Sequence, residues 1–426
     1  MTGTNPMKRR SFLAGTAGLA ATGALAACGS SGSGGGGGGG EDASQGGNTV
    51  TVWHYFAEDN QVALMDQYKE MFEAENEGAT VENVFVPYDQ LNSKVVNAAG
   101  SQTGPDVVVF NGAEAAVLAL GGGLKAIDEE WAAFEDAGQF PDSVQHTIDG
   151  TLYAVQGYVN LLGLWCNVDR LDELGLEPPT TIDELEAAMA AAQESGLAGI
   201  TVSGLPQSQG EWQAYPWLSS QGFTYESPDE QALTDGFAMV HDWVEKGYLS
   251  REATTWDQTV PFQQFLAGQS LFAANGNWQI ALAESDATFE YTVVPLPVGG
   301  AGQVYLGGEG QAVGAFSQNP ELAWQYLAST FYSSEGQLAA VENVGYIPAR
   351  EDANQDPAVA DNALLTPFSE TVAERGATYP SAAIPPEAVA DVQTTVGQAW
   401  SSALGGQQDP EAASQTVMQL LESLSA

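Results

Sequence analysis

Between residues 49 and 56, β-branched and aromatic side chains crowd together as they do in a buried strand. Leu64, Met65, Tyr68, Met71 and Phe72 then recur at helical spacing and predict one apolar helix face, with Asp59 or Asn60 where an N-cap belongs. A strand over 81–86, a helix over 89–99 and a strand over 106–110 continue the alternation. Strands alternating with helices predict an α/β domain whose parallel sheet is covered on both faces. Ligands of such sheets lie beyond the carboxyl ends of the strands, so residues 53–58, 87–90 and 111–114 form the expected rim of a site.

A second α/β region begins near Tyr158. Residues 160–168 are apolar enough for a buried strand. Thr181 and Glu184, after Pro178 and Pro179, have the spacing of a capping box opening a helix through Ala192. Strands over 200–202, 271–274 and 291–294 and helices over 229–246 and 260–267 follow. The cluster Pro295, Pro297, Gly299 and Gly300 predicts a crossing between domains.

The first 48 residues have a different character. Lys8, Arg9 and Arg10 precede a short Ala- and Gly-rich apolar stretch that ends Leu25-Ala26-Ala27-Cys28, the layout of an export signal. Paired arginines with Phe12 close behind resemble a twin-arginine signal, and Leu-Ala-Ala-Cys resembles a lipobox in which Cys28 carries the lipid. Residues 29–40 are all Gly or Ser, which suits a flexible tether between membrane and folded body. With Cys28 lipidated, Cys166 has no disulfide partner.

Charge narrows the field further. The 426 residues carry 55 Asp plus Glu against 11 Lys plus Arg, a net charge of −44. So acidic a surface repels phosphate backbones and anionic headgroups, so neither nucleic-acid binding nor polybasic membrane docking is expected. Acidity spread through a body that is 44% hydrophobic suggests a saline habitat instead of disorder. Catalytic signatures are missing. His54, His146 and His241 share no metal-binding spacing, and there is no G-x-S-x-G elbow and no Cys pair, so neither metal nor cofactor is expected.

The order of several short motifs is informative. Val50-Thr51-Val52-Trp53-His54, Gly104-Pro105-Asp106-Val107-Val108, Asp149-Gly150-Thr151-Leu152-Tyr153, Leu162-Gly163-Leu164-Trp165-Cys166-Asn167, Gly276-Asn277-Trp278 and Gly345-Tyr346-Ile347-Pro348-Ala349-Arg350 follow one another along nearly the whole mature chain. In this the chain resembles the extracellular solute-binding proteins of ABC importers, family 1, the group similar to maltose-binding protein. Val155-Gln156 and Trp165-Cys166-Asn167 depart from the usual pattern locally. The resemblance implies a periplasmic-binding-protein-like type II fold: two discontinuous α/β lobes, 49–157 plus 297–345 and 158–296 plus 346–426, after a signal (1–27) and a tether (28–48). Crossings are expected near Gly157, Leu296 and Gly345.

It also implies a monomeric, lipid-anchored receptor on the outer face of the cytoplasmic membrane, which captures a carbohydrate by lobe closure and delivers it to a permease. A polyamine, a polyol phosphate or, in a different class, polysaccharide degradation are the alternatives. Sugars need flat aromatic faces and planar polar groups in an enclosed cleft. Trp278 stands where the family stacks sugar, and Trp53 and Tyr55 close the first strand. Trp212 and Trp256, like Trp217, lie in segments with few helix signals. Arg350 matches a family position that reaches the cleft, with a hinge ion pair as the other explanation, and Glu309 follows Gly308 on a glycine-rich loop. Tyr88, Asn111, Tyr158 and Tyr346 complete the expected ligand-binding set.

Overall fold

The computed structural model describes residues 47–424. The export signal, Cys28 and nearly all of the tether lie outside the described residues. In chain order the strands are β1 (Thr49–His54), β2 (Thr80–Phe85), β3 (Val107–Asn111), β4 (Gln145–Ile148), β5 (Thr151–Val155), β6 (Tyr158–Val159) and β7 (Leu162–Asn167). They continue with β8 (Ala198–Thr201), β9 (Ser270–Gly276), β10 (Tyr291–Val294), β11 (Val304–Leu306), β12 (Glu309–Val313), β13 (Ile347–Pro348) and β14 (Gly376–Thr378).

Two sheets organise the body, in the orders β2-β1-β3-β12-β5-β4 and β10-β7-β9-β8. Each is the centre of one lobe. The expectation of purely parallel sheets holds for β1, β2 and β3 and for the β8–β9 pair, but both sheets are mixed: β12 returns antiparallel to β3, and β7 lies antiparallel to both β9 and β10. Periodicity reports whether a strand is buried, not the direction in which its neighbour runs.

In the first sheet, successive residues of β3 serve opposite layers. Val107 and Val109 join the core containing Leu64, Met65, Tyr68 and Phe72 of helix Asp59–Glu75, while Val108 and Phe110 pack with Leu91 and Val95 of helix Tyr88–Gly100. That is why β3 has no polar face. All six residues of β7 are likewise buried in the middle of the second sheet. The capping box forms as expected: Thr181 accepts from the Glu184 backbone, and Glu184 reaches back to the Thr181 N–H. The helix start at Asp59 is different, since Glu58 is its N-cap and makes no side-chain bond.

The crossings between lobes depart from expectation in one place. β11 pairs in parallel with β14 and lies against helix Ser208–Ser220, so residues 297–306 stay with the second lobe. The chain passes into the first sheet only at Gly307 and Gly308, not near Leu296; of the Pro/Gly cluster, Pro297 is buried and Gly299 and Gly300 form an exposed turn before β11. The other two crossings pair directly, β6 with β13, and Ala349 N–H donates to Gly157 carbonyl. Asn160 and Gly307 exchange backbone hydrogen bonds of 2.9 and 2.8 Å. Three crossings thus form one small hydrogen-bonded ribbon between the sheets.

Candidate ligand-binding cleft

A cavity of about 230 Å³ opens between the two sheets at their crossing ribbon. Tyr55 enters from the end of β1, Asn111 from the end of β3 and Glu309 from the start of β12, opposite Asn111 in register. From the other lobe, β9 ends at Gly276 and a 3-10 turn presents Trp278, whose ring lies flat against Gly276, where a Cβ would come within 1.9 Å of it. The opening turn of helix Ser208–Ser220 contributes Ser208, Gln209 and Trp212.

Glu309 is the chemical centre of the wall. Its Oε1 accepts from the Tyr55 hydroxyl at 2.8 Å and its Oε2 from Asn160 Nδ2 at 3.4 Å. Burial pushes its carboxyl up to about 7, against the opposing pull of the Tyr55 and Tyr158 hydroxyls. A buried carboxyl lightly held by neutral partners has acceptor capacity left for a ligand hydroxyl or ammonium. Asp257 also lines the cavity, and no lysine, arginine or histidine among the described residues does.

Glycines let this wall close up. At Gly307 a Cβ would sit 2.3 Å from the Trp212 ring. At Gly308 φ is +135°, and a Cβ would meet Tyr158 carbonyl oxygen at 2.6 Å. Tyr346 is stacked on Tyr158 with centroids 4.2 Å apart, and Gln61 Nε2 donates to its hydroxyl. Tyr55 and Tyr88 meet edge to face at 5.1 Å.

Eight of the twelve expected residues therefore meet around one cavity: Tyr55, Tyr88, Asn111, Trp212, Trp278, Gly308, Glu309 and Tyr346. Four do not line it. Trp53 shares its face with Tyr55 but lies within β1, where it packs on the helix–sheet layer with Lys94 Nζ 4.0 Å from its ring centroid; only Tyr55, one residue past the strand end, reaches the cavity. Tyr158 is fully buried beneath Tyr346. Trp256 packs against the core, and its neighbour Asp257 is the residue that faces the cavity.

Arg350 is 4% exposed and turned away. It makes a bidentate pair with Asp352 at 2.7 and 2.9 Å, and donates to Asp136 and to Tyr332 carbonyl at 2.9 Å each, so the hinge ion pair is its role. Trp212 and Trp217 lie on a helix after all, one with Pro216 in its interior, Trp217 in the core and Trp212 at the cavity. Nearly every residue of that helix is buried, so it lacks the polar stripe that periodicity needs. Sequence reasoning missed Gln61, Asn160, Ser208, Gln209, Asp257, Gln258, Thr259, Gly307 and Tyr379. Their residue types are ordinary on loops; Gly307, beside Gly308, is the one with a local signal.

The match to known proteins fits this geometry. The family model described as bacterial extracellular solute-binding protein matches residues 67–367, more than two thirds of the chain. The chain belongs to the bacterial extracellular solute-binding protein family. A putative binding protein of Brucella abortus is 25% identical over 345 residues, 77% of this chain and 82% of that one. A maltotriose-binding protein of Pyrococcus abyssi is 22% identical over 356 residues, covering 78% and 73%. The GacH receptor of Streptomyces glaucescens, solved unliganded and with acarbose, shares the two-lobed fold with a TM-score of 0.77 and 23% identity over 88% of this chain and 98% of that one. Among the described residues no helix is long and apolar enough to cross a membrane, and no cluster of three His, Cys, Asp or Glu side chains stands ready for a metal.

Proposed function

We propose that this solute-binding protein captures an unphosphorylated carbohydrate between its lobes and delivers it to the permease of an ABC importer. One observation carries the reading: aromatic side chains (Trp278, Trp212, Tyr55) and planar polar groups (Asn111, Asn160, Glu309, Gln61) converge on a small cavity between two sheets. Rings cover the C–H faces of a pyranose, while amides and carboxylate take its hydroxyls. A polyol phosphate fits poorly, since two carboxylates and no cation line the space. The same two carboxylates favour a cationic polyamine as the second reading.

The wider assignment rests on sequence. Cys28 would hold the lipid, the Gly/Ser run would tether a monomeric body to the outer face of the cytoplasmic membrane, and the twin-arginine signal would export it folded. The acidic surface suits saline surroundings. Thermal-shift titration with glucose, maltose, maltotriose, diacetylchitobiose, spermidine and glycerol 3-phosphate tests the ligand class, with product analysis alongside. Stabilisation by a sugar without turnover is expected. Stabilisation by spermidine alone, or release of hydrolysis products, would replace this reading.

A further inference from the structure

Asn277, at the turn that follows β9, is fully buried, and its side chain bonds to two of the three crossings. Its Oδ1 accepts from the Leu161 N–H at 3.0 Å. Its Nδ2 donates to Asn160 Oδ1 at 3.1 Å and to Gly345 carbonyl at 2.9 Å. Asn160 in turn exchanges backbone bonds with Gly307 and aims its own Nδ2 at Glu309, which opens β12 in the other lobe.

The Asn277 donor to Asn160 Oδ1 decides which end of the Asn160 amide faces Glu309. An amide rotated by half a turn would oppose its oxygen to the carboxylate. At 3.4 Å the Asn160–Glu309 contact is the longest of the chain, so a small lobe rotation changes it most. The residue after Asn277 is Trp278, whose ring walls the cavity. A ligand lying on Trp278 and bonded to Glu309 therefore joins, from the front, the two segments that Asn160 and Asn277 join from behind.

We propose that Asn277 is a positioning residue: through Asn160 it couples occupancy of Glu309 to the three crossings, and so to lobe closure. This rests on the receptor reading above and adds to it the route by which a bound ligand is felt at the hinge.

A double-mutant cycle tests it, with maltotriose, or the tightest binder among the titrated solutes, as the probe. In Glu309→Gln the strong Tyr55 contact takes the amide oxygen of the new side chain and leaves its NH₂ against Asn160 Nδ2, donor against donor, which breaks the relay. Asn277→Ser is expected to weaken binding about tenfold in the wild-type background but less than about twofold in the Glu309→Gln background. Equal losses in both backgrounds, or no loss, would overturn the proposal, because a purely structural asparagine gives additive effects. Asn160→Ser runs the same cycle from the other end where Asn277→Ser does not fold.

Hydrogen exchange on the ligand-free protein supplies a readout independent of ligand. Faster exchange over residues 345–349 in Glu309→Gln is expected, although Glu309 has no hydrogen bond to that segment; unchanged exchange there refutes the relay. If no solute binds the wild-type chain, the receptor reading fails and the exchange result still decides the coupling.

Discussion

Replacing Glu211 by Gln changes a charge in the second lobe and little else. Glu211 is 1% exposed on helix Ser208–Ser220, and its Oε1 accepts from Tyr225 at 2.8 Å and from Tyr305 at 2.7 Å. Its Oε2 has no hydrogen-bond partner. Glutamine can keep its oxygen toward both phenols and place its amide where Oε2 stood. Burial raises the Glu211 carboxyl from 4.5 to about 7, the tyrosine hydrogen bonds opposing it.

A raised folded-state value means that the native state binds the extra proton. Stability is therefore full below about pH 4.5 and falls as pH rises to about 7, where ionisation has cost about 3 kcal/mol at ~1.4 kcal/mol per unit. Urea unfolding of both proteins between pH 4.5 and 8.5 measures it, at equal m-values. We expect near-equal stability at pH 4.5 and an advantage for Glu211→Gln that grows to about 3 kcal/mol above pH 7. Glu309 contributes a similar slope to both proteins, so the difference between them isolates Glu211. A difference that stays flat with pH would refute the reasoning, since the group would then titrate alike in folded and unfolded chains.

Ligand binding should show its own pH dependence. A sugar hydroxyl donating to Glu309 favours the carboxylate, so calorimetric affinity should rise from pH 5 to 8 and level off above about 7, the value of the empty site. Trp278→Ala removes a stacking face and should weaken sugar binding tenfold or more, with about 1 kcal/mol or less lost in thermal stability because the ring is partly exposed. Gly307→Ala drives a methyl into the Trp212 ring and should cost about 1–3 kcal/mol by urea unfolding, with a change in tryptophan emission as the ring leaves the wall. Arg350→Met leaves Asp136 and Asp352 half exposed, so it should lose only about 1–3 kcal/mol of stability and leave sugar affinity within about threefold.

The alternation of strands and helices, the capping box at Thr181 and the buried runs at β3 and β7 were all legible in the chain, because each depends on near neighbours and on burial alone. So were the cavity residues that end a strand or follow a glycine: Tyr55, Asn111, Gly308, Glu309 and Trp278. Direction of pairing was not legible: β12 reaches β3 across nearly two hundred residues, and no local pattern encodes an antiparallel return. The same long-range pairing placed β11 with β14 and moved a crossing to Gly307.

Side-chain partners lay equally beyond the sequence. Arg350 stood out as a rare cation and Glu309 as a carboxylate on a glycine-rich loop, yet tertiary packing gave the arginine two carboxylates outside the cleft and gave the glutamate only neutral partners within it. Composition set which partners were not to be expected and which residue types could stack or hydrogen-bond. The folded chain decided which of them meet, because a site is set by distances between atoms far apart in sequence.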